Sequence, residues 1–470
     1  MVSEQYQVIV AAVVFIATYV VIVSEKIHRM VAAFIGAGLL LLLGIIKFEA
    51  AVHAVDFNTI GLLVGMMLIV GITRNTGVFE FLAIKAAKVV GGEPVSLIAA
   101  LALITAILSA LLDNVTTVLL IAPVTLVIAG MLEISPLPFL ISEILASNIG
   151  GTATLIGDPP NIMIGSATSL GFMDFVINLA PVVAVIYIIT FFIIRLIYGR
   201  QLTVRQDLKT KLMELDEQDE IRDPVLLRKC LLVLTLTILG FVLHQFVHLE
   251  SAVIALSGAS LLLLLTGEDP EYTLQVVEWP VIFFFIGLFV VVGALEEVGI
   301  IQAMAKWALN ITGGSLLPTG ILVLWLSAIA SSFVDNIPFV ATMIPLLQEM
   351  SRLGGITDSN FLWWSLALGA CLGGNGTIVG ASANLIVVGI AESKGHHISF
   401  LGFMKMAFPL MLMSIVISTG YLLIWYNNRL AAIVGSLCAA VVLNLLLKII
   451  QRKAEKNKPL VSPAGGNKGS

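Results

Sequence analysis

Apolar residues fill long blocks of the chain, among them Val8–Val23, Val176–Ile194, Leu231–Phe246 and Phe408–Trp425. Each approaches the roughly 20 residues that cross a bilayer as an α-helix. Ten-residue segments of alternating apolar and polar positions are missing, so the pattern predicts helices and not the strands of a barrel. Residues Met1–Gln7 carry no Lys or Arg and no small-residue cleavage site follows the first block, which reads as a retained helix.

The blocks repeat. "VDFNTIGLLVGMMLIVGITRNTGV" from Val55 aligns with "VEWPVIFFFIGLFVVVGALEEVGI" from Val277, an offset of 222 residues that pairs Asp56 with Glu278 and Gly71 with Gly293. The register continues through Asp113-Asn114 with Asp335-Asn336. After one inserted residue the offset is 223, pairing Gly151 with Gly374, Thr154 with Thr377 and Asn161 with Asn384. Polar residues held in register across apolar segments indicate two homologous halves. The expected organisation is a first repeat over 1–197 (first helices 7–75, later elements 97–197), a linker over 198–228 and a second repeat over 229–426 (229–297 and 316–426). A further helix over 430–449 and a disordered tail over 452–470 complete it.

Charge decides how the halves are oriented. With the N-terminus outside and each Asp-Asn segment at the tip of a hairpin that returns to the side it left, 21 of the 25 Lys and Arg fall in cytoplasmic segments. Only Lys47, Lys306, Arg352 and Arg429 fall outside. Cytoplasmic loops are enriched in basic residues, so this asymmetry predicts inverted repeats and leaves no basic residue in the membrane core. Composition agrees: of 470 residues 59% are hydrophobic and 12% charged, with a mean hydropathy of +1.05, which excludes a soluble enzyme. The net charge of −5 says little about partners, and no feature suggests nucleic acid. Cys230, Cys371 and Cys438 form neither a disulfide framework nor a metal-ligand spacing. No GxxxxGK[ST] motif is present to power the chain with ATP. The expected class is a multi-pass plasma-membrane transporter, all α-helical, with two inverted-topology repeats, each holding a re-entrant hairpin and a broken helix.

Four segments interrupt the apolar pattern: Leu112–Thr117 and Ser147–Asn161 in the first half, Asp335–Pro338 and Gly373–Asn384 in the second. Pro159 and Pro160 obstruct a continuing helix, and Gly150, Gly151, Gly373, Gly374 and Gly376 permit unusual backbone angles. The helix is expected to unwind there, which the membrane tolerates only where backbone lines a cavity or is buried in protein. Asp113 and Asp335 are the leading coupling candidates, because a carboxylate at mid-membrane is costly and usually functional. With no basic partner, each would carry a proton, bind a cation or accept hydrogen bonds; the plain alternative is that each caps its hairpin's second helix. Asp158 is a weaker third, lacking an acidic counterpart. The substrate-binding set comprises Asn114, Thr116, Asn148, Gly150, Gly151, Thr152, Thr154 and Asn161 with Asn336, Gly373, Gly374, Asn375, Thr377 and Asn384, some of which would be interhelical glue. Glu143 and Glu296-Glu297 are read as interfacial, Cys371 as packing, and His244 and His248 as lying by the outer surface.

"LLDNVTTVLLIAP", "SNIGGTATLIGDPPN" and "SSFVDNIPF" resemble the arsenite-efflux and P-protein group, which includes the ArsB-type arsenical permeases and the melanosomal P protein. That group belongs to the ion transporter superfamily, with the NhaD-type sodium/proton antiporters and the dicarboxylate and citrate carriers. The resemblance implies a dimerising scaffold formed by the first helices of each repeat, and a transport domain that moves like an elevator. For an ArsB-like chain it also implies a soluble ATPase partner. Dicarboxylate carriers of this superfamily bear Ser-Asn-Thr at the hairpin tips, so Asp-Asn here argues against sodium-coupled dicarboxylate uptake. The function expected is proton-coupled efflux of arsenite or antimonite, with sodium/proton antiport, organic-anion transport and an uncoupled channel as alternatives. No cofactor is expected beyond a proton or sodium as coupling ion.

Overall fold

A computed structural model describes residues 4–456 except 25, 200, 201, 203, 248 and 357; His248 and residues 457–470 therefore lie outside the described residues. The described residues form helices joined by turns, with no strand among them. The repeat is visible element by element. Helices α1 (Glu4–Ser24), α2 (Arg29–Leu42), α3 (Phe48–Ala54), α4 (Phe57–Arg74) and α5 (Val78–Val89) are matched by α12 (Pro224–Val247), α13 (Ser251–Thr266), α14 (Pro270–Thr273), α15 (Trp279–Glu297) and α16 (Ile300–Thr312). Then α6 (Pro94–Leu111), α7 (Asn114–Met131), α8 (Leu137–Gly151), α9 (Pro159–Ser166) and α10 (Phe172–Tyr198) are matched by α17 (Leu316–Phe333), α18 (Asn336–Gly354), α19 (Asn360–Gly373), α20 (Ser382–Ser393) and α21 (Phe400–Asn427). Between the repeats lies α11 (Gln206–Glu214), and α22 (Arg429–Lys456) follows them, carrying helix into the region where a disordered tail is expected. Among the described residues ten helices are long and apolar enough to cross a membrane, so the protein is a multi-pass integral membrane protein.

Local chemistry sets the helix boundaries. Asp56, Asp113 and Asp335 cap α4, α7 and α18 by accepting from backbone N–H groups. Gly77 and Gly299 precede α5 and α16 at matched positions, both at φ 80°, a left-handed turn that favours glycine.

Packing exchanges elements between the repeats. Helix α4 lies against α13, and its counterpart α15 lies against α2. Both crossings depend on missing side chains: a Cβ on Gly65 would sit 2.5 Å from the Ala255 carbonyl carbon, and one on Gly287 would sit 2.9 Å from that of Ala33. Ala33 and Ala255 are themselves repeat-equivalent. Small residues let helix backbones approach closely where the surrounding lipid gives no hydrophobic drive to associate. The linker packs on the first repeat, burying Leu208 and Leu212 and pairing Lys88 with Glu217, Lys209 with Glu93 and Arg222 with Glu80.

Candidate functional site

The two hairpins turn at Leu112-Asp113 and Val334-Asp335, and the two broken helices open between α8 and α9 and between α19 and α20. Their side chains brace them identically. Ser109 donates to the Ser147 carbonyl at 2.6 Å and Ser331 to the Ala370 carbonyl at 2.7 Å. Thr154 reaches back to the Ala110 carbonyl, Thr377 to that of Ser332. Asn161 Nδ2 ties the Thr152 and Thr154 carbonyls at 3.1 and 2.8 Å, and Asn384 Nδ2 ties those of Gly374 and Thr377 at 2.8 and 2.9 Å. Buried carbonyls released by unwinding need donors, and these side chains supply them. Asn161, Asn384, Thr154 and Thr377 thus hold the loops in shape, as does Thr152, whose hydroxyl bonds the Asn148 carbonyl.

The glycines act by closeness rather than by backbone angle. None of Gly150, Gly151, Gly373, Gly374 and Gly376 has a positive φ, contrary to expectation; Gly374 sits at −52°. Gly150 instead lies against the backbone of Ala106, and Gly373 against that of Ala328, where a Cβ would stand 2.6 Å from the carbonyl oxygen. The broken helices press so tightly on the hairpins that side chains are excluded.

Where the loops meet, buried amides cross between repeats. Asn148 Nδ2 donates to Asn375 Oδ1 at 3.0 Å and to Asn384 Oδ1 at 2.9 Å, while Asn114 Nδ2 donates to Asn148 Oδ1 at 3.1 Å. Asn336 Nδ2 approaches both carboxylate oxygens of Asp158, at 3.1 and 3.3 Å. Buried Cys371 sits with its Sγ 3.5 Å from Asn161 Oδ1. Asp113 is satisfied locally, accepting from the Thr116 amide at 2.8 Å and from its hydroxyl, so Thr116 is a cap partner.

Asp335 is different. One oxygen caps Ile337 at 3.0 Å; the other accepts from Ser382 Oγ at 2.6 Å and from Arg29 Nη1 at 2.9 Å. Arg29 also contacts Ser382 and lies 5.1 Å from the centre of the Phe284 ring. This corrects the expectation that Asp335 lacks a basic partner. Arg29 heads the 14-residue α2, which is too short to span a bilayer alone, and its side chain turns onto the second hairpin tip, whereas a tally of loop charges assigns it to a cytoplasmic loop. Arg29, Asp335, Ser382 and His28 line the polar side of an open cavity of about 240 Å³, with Ile22 and Ile386 on its apolar wall. Asp158 feels the charges of Asp113 and Asp335, and Glu278, at the start of α15, those of Asp113 and Arg29. Asp335 thus pairs with Arg29, while Asp158 bonds the neighbouring Asn336, and among the described residues Arg29 forms its ion pair with Asp335 alone. Sequence reasoning missed Arg29, Ser382 and Glu278; the available signals were a basic residue heading an apolar block too short to span and the pairing of Glu278 with Asp56.

Glu143 is a second correction. It is 1% exposed in the interior of α8, where it accepts from Thr125 Oγ1. The neighbouring sequence suggested a helix end, but α8 begins at Leu137, which carries Glu143 well into the packed layer.

Two repeats with paired hairpins and broken helices, converging on buried amides and carboxylates, make up the architecture of a membrane transporter. The citrate transporter family model matches residues 19–369, and the chain belongs to that family. It is 43% identical to an uncharacterized transporter of Mycobacterium bovis over 89% of this chain and 98% of that one. It is 36% identical to the P protein of Sus scrofa and 34% to that of Homo sapiens, over 90% of this chain and 60% of each of theirs. The crystal structure of the YdaH transporter of Alcanivorax borkumensis, described as having an unusual topology, shares the fold. Its TM-score is 0.54 at 15% identity, covering 81% of this chain and 88% of that one. The family is one of transporters, not enzymes.

Proposed function

We propose that the protein is a proton-coupled secondary active transporter of a small oxygen-rich solute. One observation carries this reading: Asp113, Asp158 and Asp335 are buried at the hairpin tips and the broken helix, and among the described residues only Asp335 has an ion-pair partner, Arg29. Carboxylates in excess of cations inside a membrane protein must be met by protons or by bound cations, and such groups mark proton relays. Coupling then takes a simple form. When Asp335 is ionised it occupies Arg29; when it takes up a proton, the guanidinium is released and can bind a carboxylate in bidentate fashion. Proton and anion bind together.

Arg29 accordingly favours an organic anion such as citrate as the solute. Arsenite, an uncharged polyhydroxyl acid at neutral pH, is the second reading, favoured by the neutral amide cluster of Asn114, Asn148 and Asn375. The dimer and the elevator movement implied by the resemblance belong to the same proposal. The test is flux into proteoliposomes of the purified chain with radiolabelled citrate, arsenite and sodium measured in parallel under imposed pH gradients. Accumulation of citrate driven by the proton gradient is expected; accumulation of arsenite or sodium instead would replace the solute, and flux indifferent to the gradient would overturn the coupling.

A further inference from the structure

Resting on the proton-coupled reading, we infer that Glu143 is a second proton-carrying carboxyl, held against α7 about three helical turns from the hairpin tip. The starting point is a comparison the molecule makes with itself. At the repeat-equivalent positions, Glu143 is matched by Leu366, Thr125 by Leu347 and Thr117 by Phe339. Leu366 and Leu347 are fully buried at those places, so leucines satisfy the packing of this helix pair. A buried carboxyl costs several kcal/mol by comparison. The fold does not require Glu143, and its presence calls for another reason.

Its surroundings supply one. Glu143 Oε1 accepts from Thr125, and Oε2, buried, has no hydrogen-bond partner. The same holds for Thr117 Oγ1 and Asn114 Oδ1, whose residues are 0% and 2% exposed. Asn114 and Thr125 are about three helical turns apart on α7 and so share a face, with Thr117 beside it. Asn114 itself bonds Asn148 in the amide cluster. Unpartnered polar atoms thus lie at both ends of this stretch of α7, with Asn114 and Thr117 at the tip and Glu143 at Thr125 about two turns beyond, separated by buried Val118 and Ile121. No counterpart with this chemistry runs along α18.

No charge competes for Glu143. The helices packed on α8 are α6, α7, α10, α19 and α20. Helices α6 and α7 carry no titratable side chain; α10 carries Asp174, Tyr187, Arg195 and Tyr198, α19 carries Cys371 and α20 carries Glu392. Among the described residues none of these forms an ion pair with Glu143. A carboxyl with one hydroxyl partner and one free oxygen can take and release a proton without breaking a salt bridge.

The test compares wild type with Glu143→Gln and with the double variant Thr125→Leu/Glu143→Leu, which imports the second repeat's own packing and is therefore expected to fold. Infrared difference spectra of the full chain in lipid, recorded between acid and alkaline buffer, should show a protonated-carboxyl band that both variants lose. Where the flux assays show proton-driven accumulation of citrate or arsenite, both variants should lose about tenfold or more of it, a typical contribution of a positioned proton carrier, while solute exchange at equal pH stays within about twofold. Proton-coupled wild type with unchanged spectra and coupling in both variants would overturn this inference and leave the proposed function standing. An uncoupled wild type would overturn both.

Discussion

The two hairpin tips share a dipeptide and a capping role, and they differ in company. Asp113 is closed within its own turn by Thr116, whereas Asp335 spends one oxygen on capping and offers the other to Ser382 and Arg29. Around both tips the bracing is symmetric: Ser109 matches Ser331, Thr154 matches Thr377 and Asn161 matches Asn384. What repeats is the mechanics of holding an unwound helix against a hairpin. What does not repeat is charge away from the hairpin tips and the start of α4 and α15: Arg29 stands opposite Ser251, Asp158 opposite Ala381 and Glu143 opposite Leu366. An inverted repeat of this kind supplies a symmetric frame, and function is written in the departures from it.

The largest expected effect tests that difference at the tips. Asp335→Asn should lower gradient-driven flux by about a hundredfold, in the range lost with an essential proton-transfer group, and Asp113→Asn by about tenfold. A larger loss at Asp113 would reverse the comparison, and wild-type flux with an unchanged pH profile in both variants would reduce both residues to caps. Next is Arg29→Gln, for which equilibrium binding of citrate should weaken about tenfold, or 1.4 kcal/mol. A fully buried pair would lose more, but the Arg29 side chain is 23% exposed. Unaltered citrate binding would remove the guanidinium from the site.

Where the frame is symmetric, so should be the damage. Gly150→Ala and Gly373→Ala should each cost about 1–3 kcal/mol by overpacking, read as matched falls in melting temperature. Gly151→Ala should cost more than Gly374→Ala, because a Cβ at Gly151 runs into the Gly157 carbonyl while the nearest atoms at Gly374 are 3.1 Å away. Gly38→Ala, with open space around it, is the control. The smallest effect lies in the linker. The hydrogen bond from Lys88 holds the Glu217 carboxyl below its usual range, so that contact stabilises above the ordinary carboxylate pKa and is lost as the pH falls through the lowered value. Glu217→Gln should lower the melting temperature slightly at neutral pH and not in acid; a difference that persisted in acid would mean a packing role.

Much of the frame was legible because it rests on residues with few alternatives. Pro159-Pro160 ends a helix in any context, and the Asp113-Asn114 and Asp335-Asn336 registers reveal both hairpins. The site was less legible where depth decides. Arg29 follows an apolar helix as a cytoplasmic loop residue would, and only the tertiary packing brings its guanidinium to Asp335, 306 residues away in sequence. Glu143 stands close to Pro136 in sequence, but packing against α6 and α7 buries it. The glycines were identified for a conformation they do not adopt, since close approach of two backbones leaves no more local trace in a sequence than a turn does.

The exchange of partners between repeats has a consequence for biosynthesis. When α4 leaves the ribosome its packing partner α13 has not been made, and α2 must wait longer still for α15. The first half therefore enters the membrane with the small-residue faces around Gly65 and Ala33 uncovered, and these long-range contacts close only once the second half has been inserted. A chain truncated after the linker would leave those faces to whatever helix is nearby, including the same face of another truncated copy. The two halves are one folding unit, and neither is a domain in its own right.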